Sequence, residues 1–264
     1  MRTYADIFNS NDLIAWIDLS TYCNASCPQC HRTKVTEAKG KTDWLPLIQW
    51  SLEQFKKAFP VEDLRKYKRF EFCGTWGDPV MNKDLFDIID YIFVHNNTCT
   101  VQINTNGSIR DADWWWDLGV LGKRRLQVWF DVEGTTQEMH ERYRQGTDLK
   151  KIKENIEAYT ATGAEACAMV IIFEHNQEHL FEINDMLREL GVTGEILYTE
   201  SNRFYKGPVF HFIDTNGKDQ TLHQSTLNGE HPLIAGKVKN QIPIRDHKWR
   251  QKFVADGKKI KDYW

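Results

Sequence analysis

No long hydrophobic run occurs in this chain of 264 residues. The longest apolar stretch, residues 166–173, is far shorter than the roughly 20 residues a membrane-crossing helix requires. Mean hydropathy is −0.57. The first residues, Met1-Arg-Thr-Tyr-Ala-Asp6, lack the apolar core of a secretory signal. Internal repeats and low-complexity tracts are absent, and no cysteine follows Cys167. These absences exclude a helical membrane protein, a secreted precursor and a repeat array, and predict a soluble cytoplasmic protein with no membrane partner. With 41% hydrophobic and 27% charged residues, the chain can bury a core, so general disorder is excluded as well.

What is present starts with six cysteines, at 23, 27, 30, 73, 99 and 167. Three of them fall within eight residues. In a cytoplasmic chain of this size a disulfide framework is not expected, and the cluster reads as metal or redox chemistry. The single thiols Cys73, Cys99 and Cys167 read as small buried hydrophobes on strands. Net charge is −3, yet residues 235–264 carry nine Lys/Arg against three Asp. That basic tail offers a contact for an acidic partner such as nucleic acid, or serves as a solvated surface segment.

Short β-branched and aromatic runs alternate with helical patterns, which predicts repeated βα units and a parallel sheet. Strands are expected at 13–19, 69–73, 100–104, 126–132, 168–173 and 195–199. Helices are expected at 45–59, ended by Pro60, and at 83–95, 112–118, 149–162 and 178–190. A hairpin of 209–213 and 220–223 flanks Asn216-Gly217, and a short helix fits 247–255. The fold class is α/β, a partial, open, six-stranded parallel βα barrel over 1–204, with a C-terminal extension over 205–264. Ligands in such folds gather at the C-terminal ends of the strands.

The stretch Cys23-Asn-Ala-Ser-Cys27-Pro-Gln-Cys30-His31 follows the first strand directly. Three thiolates on one tight loop can hold three irons of a cubane and leave the fourth open to another ligand. A zinc site completed by His31 or a remote residue is the alternative. Strand two ends in Cys73-Gly-Thr-Trp76-Gly77-Asp78-Pro79. There, glycines let backbone approach a ligand, and carbonyls and a carboxylate can accept from an ammonium. Strand three ends in Asn104-Thr-Asn106-Gly107, and strand four in Asp131-Val-Glu133-Gly134. His140-Glu-Arg142-Tyr-Arg144-Gln-Gly146 and Phe173-Glu-His-Asn176 follow.

The cysteine loop resembles the signature of the radical S-adenosylmethionine (radical SAM) superfamily, over about residues 13 to 200. The resemblance implies one [4Fe–4S] cluster on Cys23, Cys27 and Cys30, with S-adenosylmethionine (SAM) chelating the open iron. Reductive cleavage of SAM would give a 5′-deoxyadenosyl radical that abstracts hydrogen from an unidentified peptide, nucleotide or small metabolite. An electron donor such as flavodoxin or ferredoxin is implied too.

By the same resemblance, Trp76, Gly77 and Asp78 stand in the family's Gly-Gly-Glu places at SAM's amino group. Asn104 and Asp131 are assigned to the ribose hydroxyls or the substrate, and turn chemistry is the plainer role for both. Arg144 is assigned to SAM's carboxylate, the plainer role being a surface pair with Glu141 or Asp148. Ile171 and Phe173 are placed beside adenine, or in the core. Relatives often have an aromatic residue where this chain has Gln29, so adenine is expected on hydrogen bonds or on His31. Without later cysteines no auxiliary cluster is expected, and with twelve residues before strand one no leader-binding domain is expected. Two other functions fit: an activase of a partner protein, and a non-catalytic zinc module that binds nucleic acid. Within Trp114-Trp115-Trp116, one buried ring between two half-covered ones is expected.

Overall fold

The computed structural model describes residues 13–234. Six strands, β1 (Leu13–Ile17), β2 (Tyr67–Phe72), β3 (Thr100–Thr105), β4 (Leu126–Asp131), β5 (Glu165–Ile172) and β6 (Ile196–Glu200), form one sheet. They lie in sequence order and every neighbouring pair is parallel. β1 and β6 are the two edges, so the sheet is a curled half-barrel that stays open. Side chains alternate between its two faces. Phe70, Phe72, Val101, Ile103, Val128, Phe130, Ala168 and Val170 point to the helices and build the main core. The opposite face carries Arg69, Glu71, Gln102, Asn104, Gln127 and Trp129, an unusually polar lining.

The helices are α1 (Leu52–Ala58), α2 (Val61–Leu64), α3 (Leu85–His95), α4 (Ala112–Gly122), α5 (Gln137–Glu141), α6 (Leu149–Thr160) and α7 (Leu180–Glu189). The helix expected at 45–59 begins only at Leu52. Thr21 Oγ1 donates to Pro46 O at 2.7 Å and accepts from Ile48 N at 2.8 Å, which holds that stretch extended. A capping box of Ser51 and Gln54 then starts the helix. Pro60 does more than stop α1, because it also opens the short α2. The sequence pattern did not reveal α5, whose first turn is capped by Thr136. In α4, Trp115 and Trp116 are both buried and Trp114 is half-covered, so two rings are buried where one was expected.

The hairpin of β7 (Val209–Ile213) and β8 (Asp219–His223) is antiparallel, as expected. Its inner residues Phe212 and Leu222 pack with Ala25, Cys27, Tyr143 and Phe173 in a second apolar cluster. Ile213 N donates to Val35 O at 2.8 Å, and Glu174 N to His223 O at 3.1 Å. The extension therefore buttresses the cysteine loop. The helix expected at 247–255 and the basic tail lie outside the described residues. No helix among the described residues is long and apolar enough to cross a membrane.

Candidate functional site

At the C-terminal ends of the strands lies a cavity of about 400 Å³. It is lined by Cys23, Cys27, Cys30 and Arg32 from the loop after β1, and by Cys73, Gly74, Gly77 and Asp78 after β2. Asn104, Asp131, Ile171 and Thr199 face it from β3 to β6, and Ser201 to Arg203 close its rim. The loop turns tightly, with Cys30 N donating to Cys27 O at 3.0 Å. Donors already surround the sulfurs. Ala25 N is 3.4 Å and Asn106 Nδ2 3.8 Å from Cys23 Sγ, and Arg144 Nη1 is 3.9 Å from Cys27 Sγ.

Burial, together with the nearby Asp78, pushes the Cys23 thiol up to about 12. Burial pushes Cys27 upward as well, against the pull of Arg144. A metal group must displace these protons, so loading and site formation are coupled. Among the described residues, no three His, Cys, Asp or Glu side chains converge on a point where one ion could sit. A cubane takes one thiolate per iron, and the three cysteines line one cavity.

Asp78 is buried, and its carboxylate is fully occupied by the protein. Oδ1 accepts from Val80 N and Thr105 Oγ1, each at 3.0 Å. Oδ2 accepts from Thr105 Oγ1 at 3.0 Å, Asn106 N at 2.9 Å and Asn106 Nδ2 at 2.8 Å. Asn106 Nδ2 also donates to Asn24 Oδ1 at 2.8 Å. These bonds tie the ends of β2 and β3 to the cysteine loop. Gly77 serves the same junction. A Cβ there would lie 2.0 Å from Ser20 O, so the close approach it permits is to the backbone after β1. Asp78 N then donates to Tyr22 O at 2.7 Å.

A second polar knot sits under the opposite wall. Arg144 holds Glu133 bidentately, with Nε and Nη2 each 2.8 Å from a carboxylate oxygen. Its Nη1 is 3.1 Å from Asp131 Oδ2. The surface partners Glu141 and Asp148 are not the ones it uses, because its side chain points inward and is largely buried. Burial raises the Asp131 carboxyl, and the guanidinium beside it opposes that shift. Asp131 Oδ1 is buried without a protein partner. His140 Nδ1 accepts from Glu133 N at 3.2 Å, and its Nε2 lies 3.0 Å from Thr147 Oγ1. Burial holds this imidazole down to about 3, so it is neutral and fixes the loop that carries Arg144.

The cavity brings together Cys23, Cys27, Cys30, Gly77, Asp78, Asn104, Asp131, Arg144 and Ile171. Trp76 and Phe173 are not among its walls. The Trp76 ring meets Trp44 edge-on at 5.1 Å and lies 6.4 Å from His31, while the Trp76 backbone N–H donates to Asp18 Oδ1 at 3.1 Å. Phe173 is fully buried behind the wall, 4.7 Å from the Tyr143 ring, and Tyr143 takes the cavity side in its place.

Cys99 and Cys167 are buried, as expected, whereas Cys73 is half-buried and faces the cavity because β2 ends one residue before it. Gln29 is used by the protein itself. Its Oε1 accepts from Ser201 Oγ at 2.6 Å, and its backbone O accepts from Arg203 Nη1 at 2.6 Å. Sequence reasoning missed this clasp, as well as the buried Arg32, whose Nε has no partner.

Comparison with known proteins points one way. The family model described as the radical SAM superfamily matches residues 17–187. A curated protein of Methanococcus vannielii, a probable GTP 3′,8-cyclase, is 23% identical over 249 residues, covering 92% of this chain and 73% of that protein. Among solved structures, anSMEcpe with bound AdoMet superposes with a TM-score of 0.55 at 16% identity, over 71% of this chain and 50% of that one. Streptococcus suis SuiB bound to precursor peptide SuiA gives 0.54 at 11% identity, over 71% and 39%. The chain spans half or less of these two structures, and the likeness to them is one of fold.

Proposed function

The chain belongs to the radical SAM superfamily, and from that premise we propose that its cavity binds one [4Fe–4S] cluster and SAM to start hydrogen abstraction from a substrate. The observation that carries the proposal is the convergence of Cys23, Cys27 and Cys30 with Asn104, Asp131 and Arg32 on one cavity of about 400 Å³. When bound, the cluster supplies the electron that cleaves the sulfonium of SAM.

The chain's own residues hold and orient. Cys23, Cys27 and Cys30 would ligate the cluster, and Asn106 and Arg144 donate toward the Cys23 and Cys27 sulfurs. Gly77 and Asp78 bring the loops together, so their part in SAM binding runs through backbone groups. Asn104 and the unpartnered Oδ1 of Asp131 meet SAM's hydrogen-bonding atoms. Arg144 is committed to Glu133 and Asp131, and Arg32 supplies the cation for SAM's carboxylate. Ile171 and Tyr143 give adenine an apolar wall.

The unidentified substrate, a peptide, nucleotide or small metabolite, enters over the end of β6 beside Ser201 and Arg203. A flavodoxin or ferredoxin delivers the electron, and the setting is cytoplasmic. In this reading residues 1–204 are the catalytic core and 205–264 the extension. Anaerobic reconstitution with iron and sulfide, then dithionite and SAM, should release 5′-deoxyadenosine. Zinc in place of iron, or no such product, would refute the proposal.

A further inference from the structure

Below the cavity, the polar inner face of β2 and β3 forms a directed chain of hydrogen bonds. Arg69 Nη2 donates to Gln102 Oε1, and Arg69 Nε lies 2.8 Å from Glu71 Oε1. Gln102 Nε2 donates to Asn104 Oδ1 at 2.8 Å. Gln102 and Glu71 are almost completely buried, at 3% and 5% exposure, so water does not compete for their groups. Asn104 is the last member and faces the cavity.

The direction of this chain is forced. A guanidinium has donors only, so it must meet the oxygen of Gln102. The nitrogen of Gln102 is then turned toward Asn104, whose oxygen has to face it. Asn104 is left with its Nδ2 group toward the cavity. We propose that Arg69 and Gln102 are positioning residues that set the polarity of Asn104, so that the cavity floor donates to an acceptor atom of bound SAM. The inference rests on the reading that this cavity binds SAM, and it adds which kind of ligand atom lies above β3.

Neither Arg69 nor Gln102 lines the cavity. Their effect is on orientation. With Gln102→Glu, an acceptor stands in the middle of the chain. It keeps its bond to Arg69 and requires Asn104 to turn its Nδ2 downward, leaving Oδ1 toward the cavity. Two acceptors then oppose each other across the ligand contact. With Gln102→Met, the relay is removed and Asn104 can turn either way.

The test is equilibrium dialysis of labelled SAM against the reconstituted holoenzyme and these variants, with iron content and melting temperature followed in parallel. Gln102→Glu should bind SAM about tenfold more weakly, with iron content near that of the parent and a lower melting temperature, because a second carboxylate is buried beside Glu71. Gln102→Met should bind more tightly than Gln102→Glu even if it melts lower. A packing role alone predicts the reverse order, because Met leaves Arg69 and Asn104 unsatisfied. Parent-like SAM binding by Gln102→Glu would overturn the inference while leaving the proposed function intact. A parent holoenzyme that binds no SAM would overturn that function, and the inference with it.

Discussion

Asn106 Nδ2 lies 2.8 Å from Asp78 Oδ2, and the same nitrogen lies 3.8 Å from Cys23 Sγ. One amide thus joins the ends of β2 and β3 to the first cysteine. Its orientation is fixed, because Asn106 Oδ1 accepts from Ser108 N at 2.9 Å. The substitution Asp78→Asn places an NH₂ where donors already converge and leaves at least one buried group unpaired. A loss of about 1–3 kcal/mol in unfolding free energy is expected, with less iron retained after reconstitution. Urea titration and iron analysis of the same samples check both.

Gly77→Ala should be more damaging. The added Cβ meets Ser20 O at 2.0 Å and Thr21 Cα at 2.7 Å, all backbone, with no flexible side chain to give way. The junction has to open, so the melting temperature should fall sharply. Ala at Gly163, where a Cβ meets nothing within 4 Å, carries only the cost of its positive φ of 83°. A calorimetric scan of the two variants should separate them clearly.

Acid should weaken the fold through His140. Its folded pKa, held down to about 3 by burial, lies below the ordinary value of 6.5. The unfolded chain therefore binds this proton first. The contribution is fully present above pH 6.5 and is lost as pH falls toward 3, by about 1.4 kcal/mol per unit. Between pH 7 and 5 the loss from this residue is about 2 kcal/mol. His140→Gln should be less stable at pH 7 and show a flatter slope over that range.

The clasp between the cysteine loop and the segment after β6 invites a double-mutant cycle. Gln29→Ala and Ser201→Ala each remove one side of the 2.6 Å bond. A coupling energy of about 1 kcal/mol is expected. Strictly additive losses would mean that the bond contributes nothing.

Much of this molecule can be read from residue order. The six strands were legible because short β-branched and aromatic runs alternate with helical patterns and are bounded by turn residues, and β5 also because it is an almost wholly apolar run. The cysteine loop was legible because its spacing is local. Errors came where long-range contacts decide. The apolar positions 47 and 48 suggested a helix face, but the Thr21 hydroxyl pins that stretch and leaves both residues exposed.

Ile171 and Phe173 share a parity, yet β5 ends at Ile172. Phe173 N then donates to Asn176 Oδ1 at 2.8 Å, which turns the ring into the core. The partner of Arg144 had no local signal either, since Glu133 stands eleven residues upstream. Arg69, Glu71, Gln102 and Asn104 lie on two separate strands and were not singled out together by the sequence pattern. Only the folded registers show that they form one chain.

The central claim is that three of the six cysteines, and only those, hold the cluster. Cys73 makes the test sharp, because it faces the same cavity. The measurement is iron and sulfide content per chain after anaerobic reconstitution of single Cys→Ala variants. Cys23, Cys27 and Cys30 variants should lose the cluster and the 5′-deoxyadenosine formed from SAM. Cys73, Cys99 and Cys167 variants should keep about four irons per chain. Loss of iron from the Cys73 variant equal to that from Cys23, or full retention in the Cys30 variant, would contradict the account.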